Sequence, residues 1–149
     1  MATPTSTTAS GGCFCGKVRI EYSGQPMTVG LCHCRDCRKL SGALFSYSFV
    51  VKRADLKITG NPKEVAKVAD SGTHIKNYFC ADCGTPLYGL RMNSEGVPAE
   101  TTVLRAGIFD DIEVLNQRRP EAEIFTSGRV AWMSPMEGTG QFVGMVPLP

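Results

Sequence analysis

The chain has 149 residues, and its 16 lysines and arginines against 14 aspartates and glutamates give a formal net charge of +2. This length corresponds to one domain that buries roughly 68–70% of the surface of its unfolded chain, so metal is not needed merely to replace a missing core. The balanced charge argues against a nucleic-acid partner. The sequence contains no run of about 18 apolar residues, so a membrane partner is not predicted.

The first ten residues carry no charged side chain and little that can be buried. We therefore predict a disordered leader over residues 1–10 and a single domain over residues 11–149. The N-terminus lacks the charged start and apolar run of a secretory signal, and seven cysteines suit a reducing compartment. The predicted location is cytoplasmic.

Short runs of β-forming residues recur between turn signals. These runs are 17–22, 44–51, 56–59, 75–79, 101–108 and 122–125, with turn sequences at 24–26, 60–62, 71–72 and 93–96. One short helix is predicted over residues 34–40, ended by Ser41 and Gly42. The predicted fold class is mainly β, with short antiparallel sheets and one or two short helical turns.

All seven cysteines lie in three tight clusters. The clusters are Cys13 and Cys15; Cys32, Cys34 and Cys37; and Cys80 and Cys83. Such close neighbours form strained disulfides, whereas one metal ion gathers several sulfurs about 2.3 Å from its centre. Seven cysteines correspond to a closed structural zinc site with four thiolates and an open site with three, so two zinc ions per chain are predicted.

The pair Cys80 and Cys83, followed by Gly84, has the form of a zinc knuckle, in which the backbone turns beneath the metal. A knuckle needs a second pair of ligands. Cys13 and Cys15 are the obvious candidates, and the shared metal would then pin the N-terminal part of the chain to its middle. We interpret this as the structural site.

Cys32, Cys34 and Cys37 lie within six residues and can wrap one side of a metal while leaving the other side open. Zinc with three thiolates is a weak Lewis acid but a good holder of a fourth, exchangeable thiolate, so a thiol substrate is predicted. The alternative is a structural site completed by His33 or another side chain. For His33, a hydrogen bond near the site or simple packing is the favoured interpretation.

The cysteine clusters and their flanks resemble the glutathione-dependent formaldehyde-activating enzyme family, also called the CENP-V/GFA domain. The matching segments read GCFCGKV at 12–18, CHCRDCRKLSG at 32–42 and FCADCGTPL at 79–87. The likeness runs from residue 11 to about residue 142 and includes 107–111 and 129–132. It implies a zinc-binding β domain with the Mss4-like fold over residues 11–149.

By this resemblance, the pairs Cys13/Cys15 and Cys80/Cys83 hold the structural zinc, and the middle cluster of three cysteines holds the catalytic zinc. The implied activity is carbon–sulfur lyase chemistry that interconverts S-hydroxymethylglutathione with glutathione and formaldehyde. Glutathione is then the expected co-substrate, and the expected partner is a small-molecule thiol or thiol adduct.

At 122–125 many bacterial members resemble Ala-His-Ile-Trp, whereas this chain has AEIF, as fungal members more often do. Glu123 is therefore a candidate for moving a proton, provided that desolvation raises its pKa toward neutrality.

Glutathione carries two carboxylates, so Arg35, Arg38 and Lys39 beside the ligands are candidate contacts for the thiol substrate. Solvated surface is the alternative for these three cations. Trp132 is a candidate wall of the substrate pocket, with a buried core indole as its alternative.

Two rival functions stand beside the lyase. The first is an enzyme that uses the same zinc site on another small molecule or glutathione conjugate in a biosynthetic pathway. The second is a non-catalytic zinc-binding module. A thioredoxin-type redox role for Cys80 and Cys83 is excluded because no βαβ pattern surrounds the pair.

Overall fold

The computed structural model describes residues 7–69 and 72–145, which form eleven strands, two α-helices and three single 3₁₀ turns. The strands are β1 (Thr7–Gly12), β2 (Arg19–Gly24), β3 (Thr28–Cys32), β4 (Ser46–Lys52), β5 (Leu56–Thr59), β6 (Pro62–Val68), β7 (His74–Cys80), β8 (Pro86–Met92), β9 (Thr101–Arg105), β10 (Ala122–Ile124) and β11 (Gly140–Gln141). The helices are α1 (Arg35–Ser41) and α2 (Ile112–Asn116), and the 3₁₀ turns are Arg53–Asp55, Ala106–Ile108 and Thr126–Gly128.

The strands form two sheets. A three-stranded antiparallel sheet has the order β1-β2-β5, and an eight-stranded sheet has the order β11-β10-β3-β4-β9-β8-β7-β6. The large sheet is antiparallel from β3 to β6, but β10 runs parallel to both β3 and β11. The mainly β class is confirmed, although one large mixed sheet replaces several short antiparallel ones.

One face of the large sheet packs against the small sheet to form the core. Ile20 and Tyr22 of β2 join Phe49 of β4 and Leu104 of β9 in one buried cluster. Phe109 bridges the two sheets, with ring centroids 6.5 Å from Tyr22 and 5.4 Å from Phe49. Full burial of each such side chain stabilises the fold by roughly 1.5–3 kcal/mol.

The opposite face of the large sheet carries polar side chains. Cys32 pairs with Ser46, and Ser48 pairs with Arg105, across strands β3, β4 and β9. Directly paired residues point to the same face, as do residues two apart on one strand, so these four side chains share one face. Helix α1 begins just after β3 and packs against β4. We call this surface the cysteine face.

The predicted leader requires a correction. Residues 7–10 belong to β1, which pairs with β2, so the prediction of disorder is wrong for them, while residues 1–6 lie outside the described residues. Ala9 is buried, and a Cβ atom on Gly11 would lie 2.1 Å from the backbone oxygen of Ile108. This strand therefore depends on small residues that allow close backbone approach, which the composition did not reveal.

The predicted strand at 56–59 and the predicted helix are confirmed, the helix with Cys34 as its N-cap and Gly42 as its C-cap. The predicted strand at 101–108 ends instead at Arg105, where a 3₁₀ turn begins. The strands β3, β6, β8 and β11 and helix α2 were not predicted. None of the helices in the described part of the chain has the length and apolar character needed to cross a membrane.

Candidate metal centres

The structure brings four cysteines from distant parts of the chain together. The sulfurs of Cys13, Cys15, Cys80 and Cys83 all lie within 4.8 Å of one another. Cys13 Sγ lies 3.5 Å from Cys15 Sγ, which lies 3.7 Å from Cys80 Sγ. A tetrahedron with metal–sulfur bonds of about 2.3 Å has sulfur–sulfur edges of roughly 3.8 Å, whereas a disulfide bond is about 2.05 Å long. These four residues fit a closed metal site.

Two backbone turns, each of which ends at a glycine, present these sulfurs. Gly16 N donates to Cys13 O at 3.1 Å, and Gly84 N donates to Cys80 O at 2.9 Å. Both glycines have positive φ, 84° and 79°, a conformation that costs other residues about 1–2 kcal/mol. The first turn connects β1 to β2, and the second connects β7 to β8. The closed site therefore joins one hairpin of each sheet.

Thr85 links the two turns, and sequence reasoning gave it no role. Its Oγ1 accepts a hydrogen bond from Phe14 N at 3.0 Å and lies 3.2 Å from Cys83 Sγ. When Cys83 is ionised, the hydroxyl is the donor in this contact, because a thiolate can only accept. This hydrogen bond is the main reason that the pKa of Cys83 is lowered to about 5, which favours the thiolate that a metal requires. The sequence signal that could have identified Thr85 is its position directly after Gly84, the glycine at which the second turn ends.

The second group lies on the cysteine face. Cys32 ends β3, Cys34 caps α1, and Cys37 lies in the first turn of that helix. Their sulfurs also lie within 4.8 Å of one another, and all three residues are half-buried. Cys37 N donates to Cys34 Sγ at 3.3 Å, which holds one sulfur at the helix N-terminus. This arrangement supplies three sulfur ligands, one fewer than a closed tetrahedral site has.

The environment favours negative charge on Cys37. Hydrogen bonds from Cys32 and Cys34 are the main reasons that the pKa of Cys37 is lowered to about 2, against the opposing effect of burial. Ser46 and the positive charge of Arg105 add to the lowering. The same crowding raises the pKa of Cys32, chiefly through its hydrogen bond with Cys34. Three thiolates so close together require a cation, and this donor set suits a soft divalent metal.

His33 lies between two of these cysteines but is not part of the sulfur group. It follows β3 directly, and because extended residues alternate, its side chain lies on the other side of the sheet from Cys32. Its Nε2 is 2.8 Å from Glu123 Oε1, and both residues are buried. The favoured interpretation of His33, a hydrogen bond near the site rather than ligation, agrees with these contacts.

Glu123 is only 1% exposed, and several donors surround its carboxylate. Oε2 accepts from Gln141 Nε2 at 2.6 Å, from Met136 N at 2.8 Å and from Arg129 Nη2 at 3.2 Å. Burial raises its pKa, but the bonds from Gln141, Met136 N and His33 and the charge of Arg129 outweigh burial and lower it to about 2. The condition for proton transfer, a raised pKa, is not met. The contacts therefore favour Glu123 as a carboxylate that is ionised near neutral pH and anchors His33, over the predicted proton carrier.

The candidate substrate contacts occupy exposed positions. Arg35, Arg38 and Lys39 lie on the outer surface of α1. Trp132 is 75% exposed, so the alternative of a buried core indole is wrong. Contact of these four residues with a substrate stays a prediction.

Arg105 was missed by sequence reasoning. It ends β9 on the cysteine face, where Nη1 donates to Ser48 Oγ at 3.2 Å and Nη2 donates to Asn77 Oδ1 at 3.4 Å. The arginine lies inside the predicted strand 101–108, and only the strand register places it on the same face as Cys32. No local sequence signal reveals that register.

Comparison with known proteins identifies the family. Residues 8–128 match the family model described as glutathione-dependent formaldehyde-activating enzyme. The chain belongs to this family. That result confirms the resemblance inferred from the three cysteine clusters, and the match covers β1 to β10 and therefore both groups of sulfurs.

Fungal members of the glutathione-dependent formaldehyde-activating enzyme family are similar to this chain. A Podospora anserina protein named "Putative glutathione-dependent formaldehyde-activating enzyme" is 36% identical over 94 residues, which are 58% of this chain and 42% of that protein. An Aspergillus flavus protein of the same name is 34% identical over 79 residues, or 52% of this chain and 41% of that protein. These matches span about two fifths of the length of the relatives.

A crystal structure of a Rhodobacter sphaeroides protein also aligns with this family member. The TM-score is 0.49 at 17% sequence identity, over 89% of this chain and 98% of that chain.

Proposed function

We propose that the protein is a zinc-dependent carbon–sulfur lyase that adds a small aldehyde to a thiol such as glutathione, or removes it. The observation that carries the proposal is the half-buried group of three sulfurs on the cysteine face, one fewer than a closed tetrahedral site has, beside a separate group of four. A structural site needs four protein ligands, whereas a catalytic zinc site keeps one position for substrate.

The residues divide into two sets under this proposal. Cys32, Cys34 and Cys37 hold the catalytic zinc, and the closed group of four cysteines described above holds the structural zinc. When bound to the three cysteines, zinc would supply a position that keeps a substrate thiol ionised near neutral pH. Ser46 and Arg105 offset part of the negative charge that the three thiolates concentrate on the cysteine face.

In the forward direction, an electron pair on the substrate sulfur forms a bond to the aldehyde carbon. The carbon–oxygen π pair moves to the oxygen, which takes up the proton that the thiol released, and the product is the hydroxymethyl thioether. The reverse reaction follows the same path. Because Glu123 is buried and ionised, we assign the proton exchange to solvent at the exposed side of the cluster. We place the reaction in the cytoplasm, where thiols stay reduced.

Exchange spectroscopy by NMR on mixtures of glutathione and formaldehyde tests this proposal. The wild type should speed the interconversion of formaldehyde and S-hydroxymethylglutathione above the uncatalysed background. The Cys37→Ser variant should lose this acceleration while keeping one zinc per chain. Full activity in that variant would overturn the proposal. Binding of glutathione without any acceleration would instead favour an enzyme that acts on another small molecule or glutathione conjugate.

A further inference from the structure

A cavity of about 110 Å³ lies between α1 and strands β7 to β9. Its lining includes Leu40 of α1, Asn77 and Tyr78 of β7, Tyr88 of β8 and Arg105 of β9. Leu40 comes three residues after Cys37, so both side chains lie on the same side of the helix. None of the three cysteines lines the cavity, but the cavity opens on the same side of α1 as Cys37.

The strand register also places Arg105 on the same face of the sheet as Cys32. Arg105 pairs with Ser48 on β4, and Ser46, two residues away on that strand, pairs with Cys32 on β3. Strand β4 separates β9 from β3, so Arg105 lies roughly 10 Å from the strand that ends at Cys32, on the same face of the sheet.

Arg105 is half-buried, and no carboxylate of the described residues pairs with it. Its two hydrogen bonds go to neutral oxygens, those of Ser48 and Asn77. Within residues 7–69 and 72–145, no carboxylate lies within 4.0 Å of its guanidinium, whereas Arg19 contacts Asp110 at 2.5 Å and Arg129 contacts Glu123 at 3.2 Å.

A guanidinium cannot be deprotonated in proteins, and it has five N–H donors that suit a carboxylate in the bidentate mode. A partly desolvated guanidinium that contacts no carboxylate can still gain a direct, charge-assisted pair by binding one. Asn77 keeps its amide donors for the same ligand while its Oδ1 accepts from Arg105. Gly89 permits this placement, because a Cβ atom there would lie 2.8 Å from Asn77 Oδ1.

We propose that the cavity at Arg105 and Asn77 is a carboxylate-binding subsite that takes one acidic end of the thiol substrate. Its size supports one end rather than a whole molecule, since sites that enclose a small ligand measure roughly 300–1,000 Å³ and this cavity about 110 Å³. The inference rests on the proposed function for the position of the sulfur. It adds that carboxylate-bearing thiols are preferred over neutral ones.

Three probes separate the parts of the site: glutathione, S-methylglutathione, which keeps both carboxylates but cannot form a thiolate, and 2-mercaptoethanol, which has no carboxylate. Binding to the zinc-loaded protein is followed by NMR titration. In Arg105→Gln, we expect the affinities for glutathione and S-methylglutathione to fall about 10- to 100-fold, because charge-assisted hydrogen bonds are lost. The affinity for 2-mercaptoethanol should fall far less, because this thiol has no carboxylate and loses only the effect of the Arg105 charge on the cysteines.

Arg91→Gln is the matched control, because Arg91 is exposed on β8 and its variant removes the same charge. It should leave all three affinities unchanged. Arg105→Lys keeps the positive charge but loses the planar guanidinium that can bind a carboxylate through two hydrogen bonds. Its affinity for glutathione should therefore lie between those of the wild type and Arg105→Gln. Zinc content and thermal unfolding of each variant show whether it has folded.

An equal loss for 2-mercaptoethanol in Arg105→Gln would overturn the subsite, because Arg105 would then act on the cysteines instead. Unchanged binding of S-methylglutathione in that variant, or its failure to bind to the wild type, would also overturn it. These outcomes are independent of turnover. Binding of S-methylglutathione that depends on Arg105, without formaldehyde exchange, keeps the subsite and overturns the lyase proposal.

Discussion

Glu123 Oε1 lies 2.8 Å from His33 Nε2, in a contact that is sealed from solvent and joins β10 to the segment between two candidate metal ligands. Because the ionised carboxylate can only accept, His33 Nε2 must carry the proton. The carboxylate therefore fixes both the tautomer and the orientation of the residue that separates Cys32 from Cys34. In this chain, an anchored glutamate stabilises the backbone that presents the two sulfurs.

Glu123→Gln should destabilise the protein in a manner that depends on pH. The pKa of Glu123 is lowered from 4.5 to about 2 by folding, so its contribution is fully present above pH 4.5 and disappears as the pH falls toward 2. The shift corresponds to on the order of 3 kcal/mol. The difference in unfolding free energy between wild type and variant should therefore be largest at pH 7 and shrink below pH 4.5. Urea unfolding across this range measures it.

Low pH weakens metal binding in every variant, and this common effect needs a control. Asp110→Asn is that control, because it removes a different carboxylate and leaves Glu123 in place. Asp110 pairs with Arg19 on the surface, and such pairs contribute little to stability. A difference between wild type and Glu123→Gln that stays constant from pH 7 to pH 3 would show that folding does not lower the pKa of Glu123.

Removal of single cysteines should separate the two metal sites. Native mass spectrometry should find two zinc ions in the wild type and one in both Cys37→Ser and Cys83→Ser. Only Cys83→Ser should lower the melting temperature by many degrees, because the closed site joins residues as far apart as Cys15 and Cys80, a separation of 65 positions.

Cys37→Ser leaves the closed site and the core intact, so its melting temperature should change far less. The assignment of the two sites would be reversed by equal destabilisation in both cysteine variants, or by greater destabilisation in Cys37→Ser. Loss of both metals in Cys37→Ser would show that the sites are not independent.

Gly128→Ala should weaken metal binding at the three cysteines. A Cβ atom on Gly128 would lie 2.4 Å from the backbone oxygen of His33, so the segment between Cys32 and Cys34 would have to move. We expect a loss of about 1–3 kcal/mol in stability and faster removal of one zinc by a chelator. Chelator competition and urea unfolding measure the two effects.

Gly107→Ala is the comparison variant, since a Cβ atom on Gly107 meets nothing within 4 Å in the described structure. It should release zinc at the wild-type rate. If Gly128→Ala does the same, the close approach to His33 does not control the site.

The half-buried Tyr47 and the buried Tyr22 should respond differently to loss of their hydroxyl groups. Tyr47 Oη donates to Arg118 O at 2.5 Å, so Tyr47→Phe should lower stability by about 1 kcal/mol. Tyr22 Oη is buried without a hydrogen-bond partner in the described residues, and burial raises its pKa to about 12. Tyr22→Phe should therefore be neutral or stabilising. Thermal unfolding of both variants checks this, and equal losses would contradict it.

The sequence predicted the parts of the site that local spacing determines. Cys34, Cys37 and Gly42 define a short helix by their own positions, and Gly84 marks the turn below two cysteines. The division into four and three sulfurs also follows from spacing, since the members of each pair or triplet are close neighbours in the chain. The structure places each set within 4.8 Å, as that division requires.

The strands and site residues that the sequence did not predict depend on contacts between distant parts of the chain. β6 is an edge strand whose residues are almost all exposed, so it shows no alternation, and β8 has four consecutive buried residues. Arg105 reaches the cysteine face through pairing with Ser48, and Glu123 becomes ionised through donors as distant in sequence as His33. Register and long-range hydrogen bonds decide these roles, and neither leaves a periodic signal.

The closed group of four cysteines also affects how well a newly synthesised chain is protected before it binds metal. Each of its two turns closes a hairpin, one in each sheet, and the core lies between those sheets. A chain that has not yet acquired metal lacks this clamp, so the apolar faces with Ile20 and Phe49 are more often open to other molecules. The supply of metal during synthesis would then decide how much of the protein escapes aggregation and proteolysis.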